Sequence, residues 1–188
     1  IISTEVIIRY LREKKLKRVF LLGTPAMRGM LKSAGISHDR KNPQAVVIGY
    51  DRTLTFQKLK EAAFWIWKKK PFLVTHPDFF CPTDTGPEPD CGSFAWALAL
   101  TTKRDPDLIL GKPHPRMIKE VYRRMKVKKS EMILVGDRLQ TDIAMASAAG
   151  ISSILVLSGD SKLADLRQSK VRPTFILPSV RLLRSSII

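Results

Sequence analysis

Three side chains in the second half of the sequence combine types and spacing suited to chemistry on phosphate. Lys112 lies in a Gly111-Lys112-Pro113 turn after the strand-like run 107–110, apolar from Leu108, and Asp137 and Asp142 lie five apart after the apolar run 132–135. A glycine precedes both Lys112 and Asp137, and each turn comes after a run that reads as a strand, where open α/β sheets gather their ligands. Carboxylate oxygens suit a hard divalent cation such as Mg2+, and an ammonium offsets phosphoryl charge. Singly, such residues are ordinary solvated surface. In the order strand-Gly-Lys-Pro, helix, strand-Gly-Asp-x4-Asp, helix, they form a set, and neighbouring parallel strands would bring the two turns to one sheet edge.

The elements that must position this set alternate strand and helix along the chain. A first helix, capped by Ser3-Thr4, carries Val6, Ile7, Tyr10 and Leu11 as an apolar stripe, and a strand over 19–22 comes directly after it. Gly23-Thr24-Pro25 opens a second helix, with Thr24 as cap and Pro25 at its first position, and Gly35 ends it. After a turn at Asn42-Pro43 come a strand over 45–50, a helix over 55–70 with Phe56, Leu59, Ala63, Ile66 and Trp67 on one face, and a strand over 72–75. Trp65 and Trp67 read as core or domain-contact residues. The stretch 76–93 holds four prolines and two glycines, too long for a plain connection, and reads as a functional loop. Ser93 caps a helix running to Leu100, and 101–107 reads as a linker. Next come a buried strand over 107–110, a helix from Pro115, a buried strand over 132–135, a small-residue helix ending at Gly150 and a strand over 154–157. Ser161 caps a short helix, 174–177 is a last strand, and Ser179 caps a terminal helix. The alternation predicts a three-layer α/β architecture with a mainly parallel sheet.

With 188 residues, 44% of them hydrophobic, the chain can bury a core as one ordinary domain or two small ones. No apolar run approaches the roughly 18–20 residues of a membrane span, and no charged-then-apolar leader opens the chain, so we expect a soluble, cytoplasmic protein. It begins Ile1-Ile2 without an initiator methionine, and we expect a segment to precede it. Cys81 and Cys91 are too few for a disulfide framework or a zinc site and read as free thiols. Lysine and arginine outnumber the acids 33 to 17, a formal charge of +16, which favours anionic partners. The basic clusters at 14–18, 68–70, 123–129 and 167–172 each close a predicted helix, where cations complement the helix dipole. Scattered in this way, they argue against a nucleic-acid groove.

Gly111-Lys112-Pro113, with VGDRLQTDI at 135–143 and LVLSG at 155–159, resembles the third and fourth motifs of the haloacid dehalogenase-like phosphatases. The resemblance is narrower to the branch of NagD and the 4-nitrophenylphosphatases, with their pyridoxal phosphate and phosphoglycolate phosphatase relatives. It extends upstream through VVIGYDRTLTFQKL, FLVTHPDFFCPTDTG and PDCGSFAWAL, so it covers essentially the whole chain. It implies an α/β fold with a partial Rossmann-like core and a large α/β cap domain. Residues 1–106 then match the cap with its hinge segments, and 107–188 the C-terminal half of the core. By the same resemblance Asp137 corresponds to the direct Mg2+ ligand, Asp142 to the acid that supports the metal site and orients the lysine, and Lys112 to the residue stabilising nucleophile and phosphoryl charge. The loop 76–92 corresponds to the cap's substrate-facing loop, which places His76 and Cys81 among the substrate-binding candidates, together with Thr75 just ahead of it. His114, beside the Lys112 turn, could touch phosphate. The implied activity is Mg2+-dependent hydrolysis of small phosphate monoesters through an aspartyl-phosphate. The implied partners are a small phosphorylated metabolite and, through the cap, a second copy of the chain.

The family attacks phosphorus with an Asp in a DxDG strand-turn near its N-terminus, uses the second Asp as general acid, and holds phosphate with a Thr or Ser in a second motif. Both motifs would precede Ile1: no Asp occurs before Asp39, so the nucleophile is expected in a preceding segment. Asp51 after the run 45–50 and Thr75 after 72–74 imitate the two motifs in order, but Arg52-Thr53-Leu54 lacks the second Asp and its glycine. Asp51 therefore reads as structural. Were the chain complete as it stands, it would be a non-catalytic relative binding a phosphorylated ligand or a protein partner, with an unpaired sheet edge inviting dimerisation.

Overall fold

In the computed structural model, which describes residues 2–185, the chain divides into two units, Ile1–Gly111 and Lys112–Ile188. The first is built from α1 (Ser3–Glu13), β1 (Arg18–Leu22), α2 (Pro25–Ser33), β2 (Ser37–His38), β3 (Ala45–Ile48), α3 (Phe56–Trp67), β4 (Phe72–Val74), β5 (Phe80–Thr83), β6 (Gly86–Pro89), α4 (Cys91–Thr102) and β7 (Leu108–Ile109). Five of the strands form one parallel sheet in the order β2-β1-β3-β4-β7. Its central strands are buried on both faces, which is why they read as continuous apolar runs rather than alternating ones. Phe20, Leu22, Val46, Ile48, Phe72 and Val74 pack one face against Ala62 and Ile66 of α3 and Phe94, Ala95 and Leu98 of α4. Full burial of a side chain such as Phe72 contributes roughly 2–3 kcal/mol.

Local chemistry sets the helix ends. Thr24 Oγ1 accepts the Met27 amide at 3.2 Å with Pro25 in the first turn, and Gly35 leaves α2 at φ +79°. Thr55 Oγ1 accepts the Lys58 amide at 3.3 Å. The cap of α4 is Asp90, whose Oδ1 accepts the Cys91 amide at 2.6 Å; Ser93, the cap expected from sequence, lies inside the helix and donates to Phe79 O. Trp65 packs against the core, whereas Trp67 is 61% exposed, with Lys68 Nζ 4.8 Å from its ring.

Three further expectations are revised. The stretch 76–93 is not plain loop, because β5 and β6 pair within it as an antiparallel hairpin, Phe80 opposite Pro89 and Thr83 opposite Gly86. Nor is 101–107 a loose linker: α4 continues to Thr102, Arg104 Nη1 donates to Ile66 O at 2.7 Å, and the Phe72 amide donates to Asp107 Oδ2 at 2.7 Å. The division between units falls at Gly111–Lys112 rather than at 106–107, because β7 adds to the first sheet through Leu73–Leu108 and Val74–Ile109.

The second unit comprises α5 (Arg116–Met125), β8 (Ile133–Gly136), α6 (Ala144–Ala149), β9 (Ser152–Val156), α7 (Asp165–Gln168) and β10 (Phe175–Leu177), with a π-helical turn at Leu139–Ile143 ahead of α6 and a 3-10 turn at Val180–Ser185. Its strands form a parallel sheet, β10-β9-β8, over a small core of Leu139, Ile143 and Leu155. The apolar run predicts a buried β8, but Ile133 is 47% and Val135 37% exposed, since β8 is an edge strand among the described residues. Among those residues no helix is long and apolar enough to cross a membrane.

Candidate active site

In the second unit, the turns after Gly111 and after β8 place Lys112 and Asp142 in direct contact: Lys112 Nζ donates to Asp142 Oδ1 at 2.7 Å. They do not meet through neighbouring strands, as the sequence suggested, because β7 and β8 belong to different sheets. Asp142 is nearly buried while Lys112 is half-exposed. The carboxylate is seated by the π-helical turn, in which the amides of Asp142 and Ile143 both donate to Arg138 O, at 3.0 and 3.2 Å. Gly136 makes this seat possible, since a Cβ there would lie 2.5 Å from Asp142 Cγ.

Asp137, partly exposed, comes directly after β8. Its Oδ2 accepts the Asp160 amide at 2.9 Å and its backbone carbonyl accepts the Ser161 amide at 3.0 Å. Ser161 Oγ in turn accepts the Leu139 amide at 3.1 Å, so the loop after β9 clamps the turn after β8 from both sides. Gly159 lets this loop approach: a Cβ there would stand 2.1 Å from Asp137 Oδ2. Asp137 Oδ1 receives no hydrogen bond from the described residues. One oxygen is thus oriented by the backbone and the other is left to act as a ligand, a donor set that fits the oxygen preference of Mg2+, which binds through one or two carboxylates and completes its shell with water or substrate.

His114, half-buried, accepts the Arg116 amide on Nδ1 at 3.1 Å, which leaves its proton on Nε2. Burial first, and then the charges of Arg116 and Lys119, push its pKa below the ordinary histidine value, so it is a neutral donor at pH 7.

Thr75, His76 and Cys81 lie in the first unit. Thr75 is buried, and its hydroxyl is within hydrogen-bond distance of His76 Nδ1 (2.8 Å) and Cys91 Sγ (3.4 Å). His76 Nε2 meets Asp90 Oδ1 at 2.9 Å. Asp78 joins these two in a cluster whose ligand atoms lie within 4.8 Å of one another. Cys81 is partly exposed on β5, and Tyr50 holds the hairpin by donating its hydroxyl to Glu88 Oε2 at 2.8 Å. Cys91 is buried against Ile48 O, and burial pushes its thiol up to about 11. Both cysteines are free thiols.

Asp51 is 1% exposed and fully engaged. Oδ1 accepts the Thr53 amide (2.9 Å) and hydroxyl (2.6 Å), and Oδ2 accepts Lys58 Nζ (2.8 Å). Its carboxylate is inaccessible to solvent and each oxygen is hydrogen-bonded, in keeping with a structural role. Sequence reasoning did not find the part played by Ser161, because a serine ahead of a helical pattern reads as a cap. The helix there begins only at Asp165.

A family model described as HAD-hydrolase-like matches residues 109–183. The ribonucleotide monophosphatase NagD of Escherichia coli K12 is 33% identical over 171 residues, 91% of this chain and 67% of NagD. The dihydroxyacetone phosphatase of Corynebacterium glutamicum is 32% identical over 161 residues, 86% of this chain and 58% of its own length. Among solved structures, the 4-nitrophenylphosphatase of Thermotoga maritima superposes with a TM-score of 0.94 at 39% identity, covering 100% of this chain and 72% of that one.

Proposed function

Because the chain belongs to the haloacid dehalogenase-like hydrolases, in the branch of NagD and the 4-nitrophenylphosphatases, we propose that it carries the metal-binding and phosphate-stabilising half of a Mg2+-dependent phosphatase acting on small phosphate monoesters. The carrying observation is the pairing of Lys112 with Asp142 beside an Asp137 oxygen left open. In this reading Asp142 holds the Lys112 ammonium in place, and Lys112 offsets negative charge on the nucleophile and the phosphoryl oxygens. Bound at Asp137, Mg2+ would add a second positive charge against the phosphoryl group. His114 Nε2–H is a further donor for a phosphate oxygen. Thr75, with its hydroxyl already occupied, orients His76 rather than the substrate, and His76 and Cys81 flank the substrate-facing hairpin. The nucleophilic aspartate is assigned to a segment preceding Ile1, and the exposed apolar edge of β8 is where a further strand of that segment could pair. Support for the metal comes also from a glycerol phosphate phosphatase of Mycobacterium tuberculosis, 32% identical, solved in complex with magnesium.

The test is phosphate release from 4-nitrophenyl phosphate by the natural full-length product. Turnover should require Mg2+ and fall at least about a hundredfold in Asp137→Asn, as expected for loss of a metal-site group. Turnover independent of Mg2+, or unchanged by Asp137→Asn, removes the reading. A full-length product that binds phosphate esters without hydrolysing them would instead make it a non-catalytic relative.

A further inference from the structure

At the β2 edge of the first unit's sheet, residues of β1, β2, α2 and α3 surround a cavity of about 290 Å3. Three cations, Arg28, Arg40 and Lys58, line it together with one anion, Glu61, and the ring of His38. These groups are not equally free. Lys58 spends its three protons on Asp51 Oδ2, Thr53 O and Thr53 Oγ1, at 2.8, 2.9 and 2.7 Å. Arg40 grips both oxygens of Glu61 through Nε and Nη2, which offsets that carboxylate and leaves Nη1 over. The Arg28 guanidinium makes no hydrogen bond or ion pair with any described residue; only its backbone amide is engaged, donating to Thr24 O at 3.0 Å.

His38 is oriented by the backbone. Its Nδ1 accepts the Leu21 amide at 3.0 Å, because β2 ends before it can pair there, and an amide can only donate. The ring proton therefore sits on Nε2, which has no partner among the described residues. Burial and then the charges of Arg28 and Arg40 lower this imidazole's pKa, against smaller opposing effects of Glu61 and Asp39, so the ring stands in a net positive field.

A whole guanidinium, one end of a second and a backbone-oriented imidazole N–H thus line one cavity as donors with no acceptor among the described residues. Planar guanidinium forks match tetrahedral oxyanions, and charge-assisted bonds of this kind are roughly twice as strong as neutral ones. We propose that this cavity binds a compact oxyanion, inorganic phosphate or the phosphate group of a small ester, through Arg28, Arg40 Nη1 and His38 Nε2–H. All of these residues belong to the first unit and none to the candidate active site, so the site goes beyond the phosphatase reading.

The test is an NMR titration of the chain carrying Lys112→Ala, which removes the cationic phosphate contact assigned to the active site. Inorganic phosphate, and in a second arm glycerol 3-phosphate, should shift the His38 Cε1–H resonance saturably at constant ionic strength. Tighter binding of the ester would assign the rest of the cavity to its organic part, and tighter binding of phosphate would assign it to the bare ion. Arg28→Gln, a change at an exposed helix position, should weaken the affinity at least about tenfold, the value of one charge-assisted contact. An unmoved His38, an equal shift with chloride, or an affinity unaltered by Arg28→Gln overturns the proposal. Since the readout is His38 and Lys112 is absent, failure of the phosphatase reading would leave this result untouched.

Discussion

Asp51 and Asp137 hold nearly the same place in their respective units. Each lies just after an apolar parallel strand and a glycine, Gly49 before the one and Gly136 before the other. Yet Asp51 is buried with both oxygens spent on Lys58 and Thr53, while Asp137 keeps one oxygen oriented by the Asp160 amide and the other open. The difference comes from the residues downstream of each carboxylate. After Asp51 the chain supplies a Thr two residues on and a Lys seven residues on, both reaching back. After Asp137 it supplies Arg138, which turns instead toward Asp160 at 3.6 Å. A strand-end aspartate becomes a candidate ligand only where its own neighbours leave it unsatisfied.

The sharpest way to break this contrast is Asp51→Asn. It leaves the Lys58 ammonium against a neutral amide and should destabilise the first unit by about 2–4 kcal/mol, as for loss of one partner of a largely buried pair. All three tryptophans, Trp65, Trp67 and Trp96, lie in that unit, so urea unfolding followed by tryptophan fluorescence reads it selectively. A change below about 0.5 kcal/mol, the size of an ordinary surface substitution, would refute the structural role. The pH dependence has a definite sign. Burial pushes the Asp51 pKa up, but the Lys58 ammonium and the Thr53 donors outweigh it and hold it below the ordinary value. This contribution is present above the unfolded carboxylate pKa of about 4 and is lost as pH falls through the lower folded value, so wild type and Asp51→Asn should converge in acid.

Gly159→Ala acts on the other aspartate. Its Cβ would fall 2.1 Å from Asp137 Oδ2, so the carboxylate must shift, and the Mg2+ concentration that half-activates phosphate release should rise about 10- to 100-fold. An unchanged Mg2+ requirement would separate Asp137 from the metal. The smallest expected effect is that of Asp137→Asn on stability, within about 0.5 kcal/mol of wild type by thermal unfolding, because the amide oxygen can still accept from Asp160. A loss as large as that of Asp51→Asn would erase the distinction between the two.

Much of this was legible in the order of residues. Buried parallel strands write themselves as apolar runs, so β1, β3, β4 and β9 were visible, and Thr24-Pro25 and Gly35 marked α2 because cap chemistry is local. Of the features that escaped, some depend on partners distant in sequence and others on local geometry that residue types do not announce. β7 joined the first sheet through Leu73 and Val74, and β5 and β6 pair through prolines and a cysteine that carry little strand propensity. The π-helical turn that seats Asp142 has no signature, and the exposed edge of β8 cannot be told from a covered one by its residues. The Lys112, Asp137 and Asp142 set reads as a set because Lys112 and Asp137 each come directly after an apolar run and a glycine, with Asp142 five residues beyond Asp137; the clamp from Gly159 to Ser161 carries no such pattern and was not read as geometry.

The two cysteines give the chain an unplanned experimental handle. Cys91 is sealed in the core with its thiol pushed up to about 11, while Cys81 stands partly exposed on the hairpin. A thiol-directed dye would therefore mark one position, on the loop that the family resemblance turns toward substrate. Within these 188 residues that thiol is a ready labelling position that needs no engineered residue.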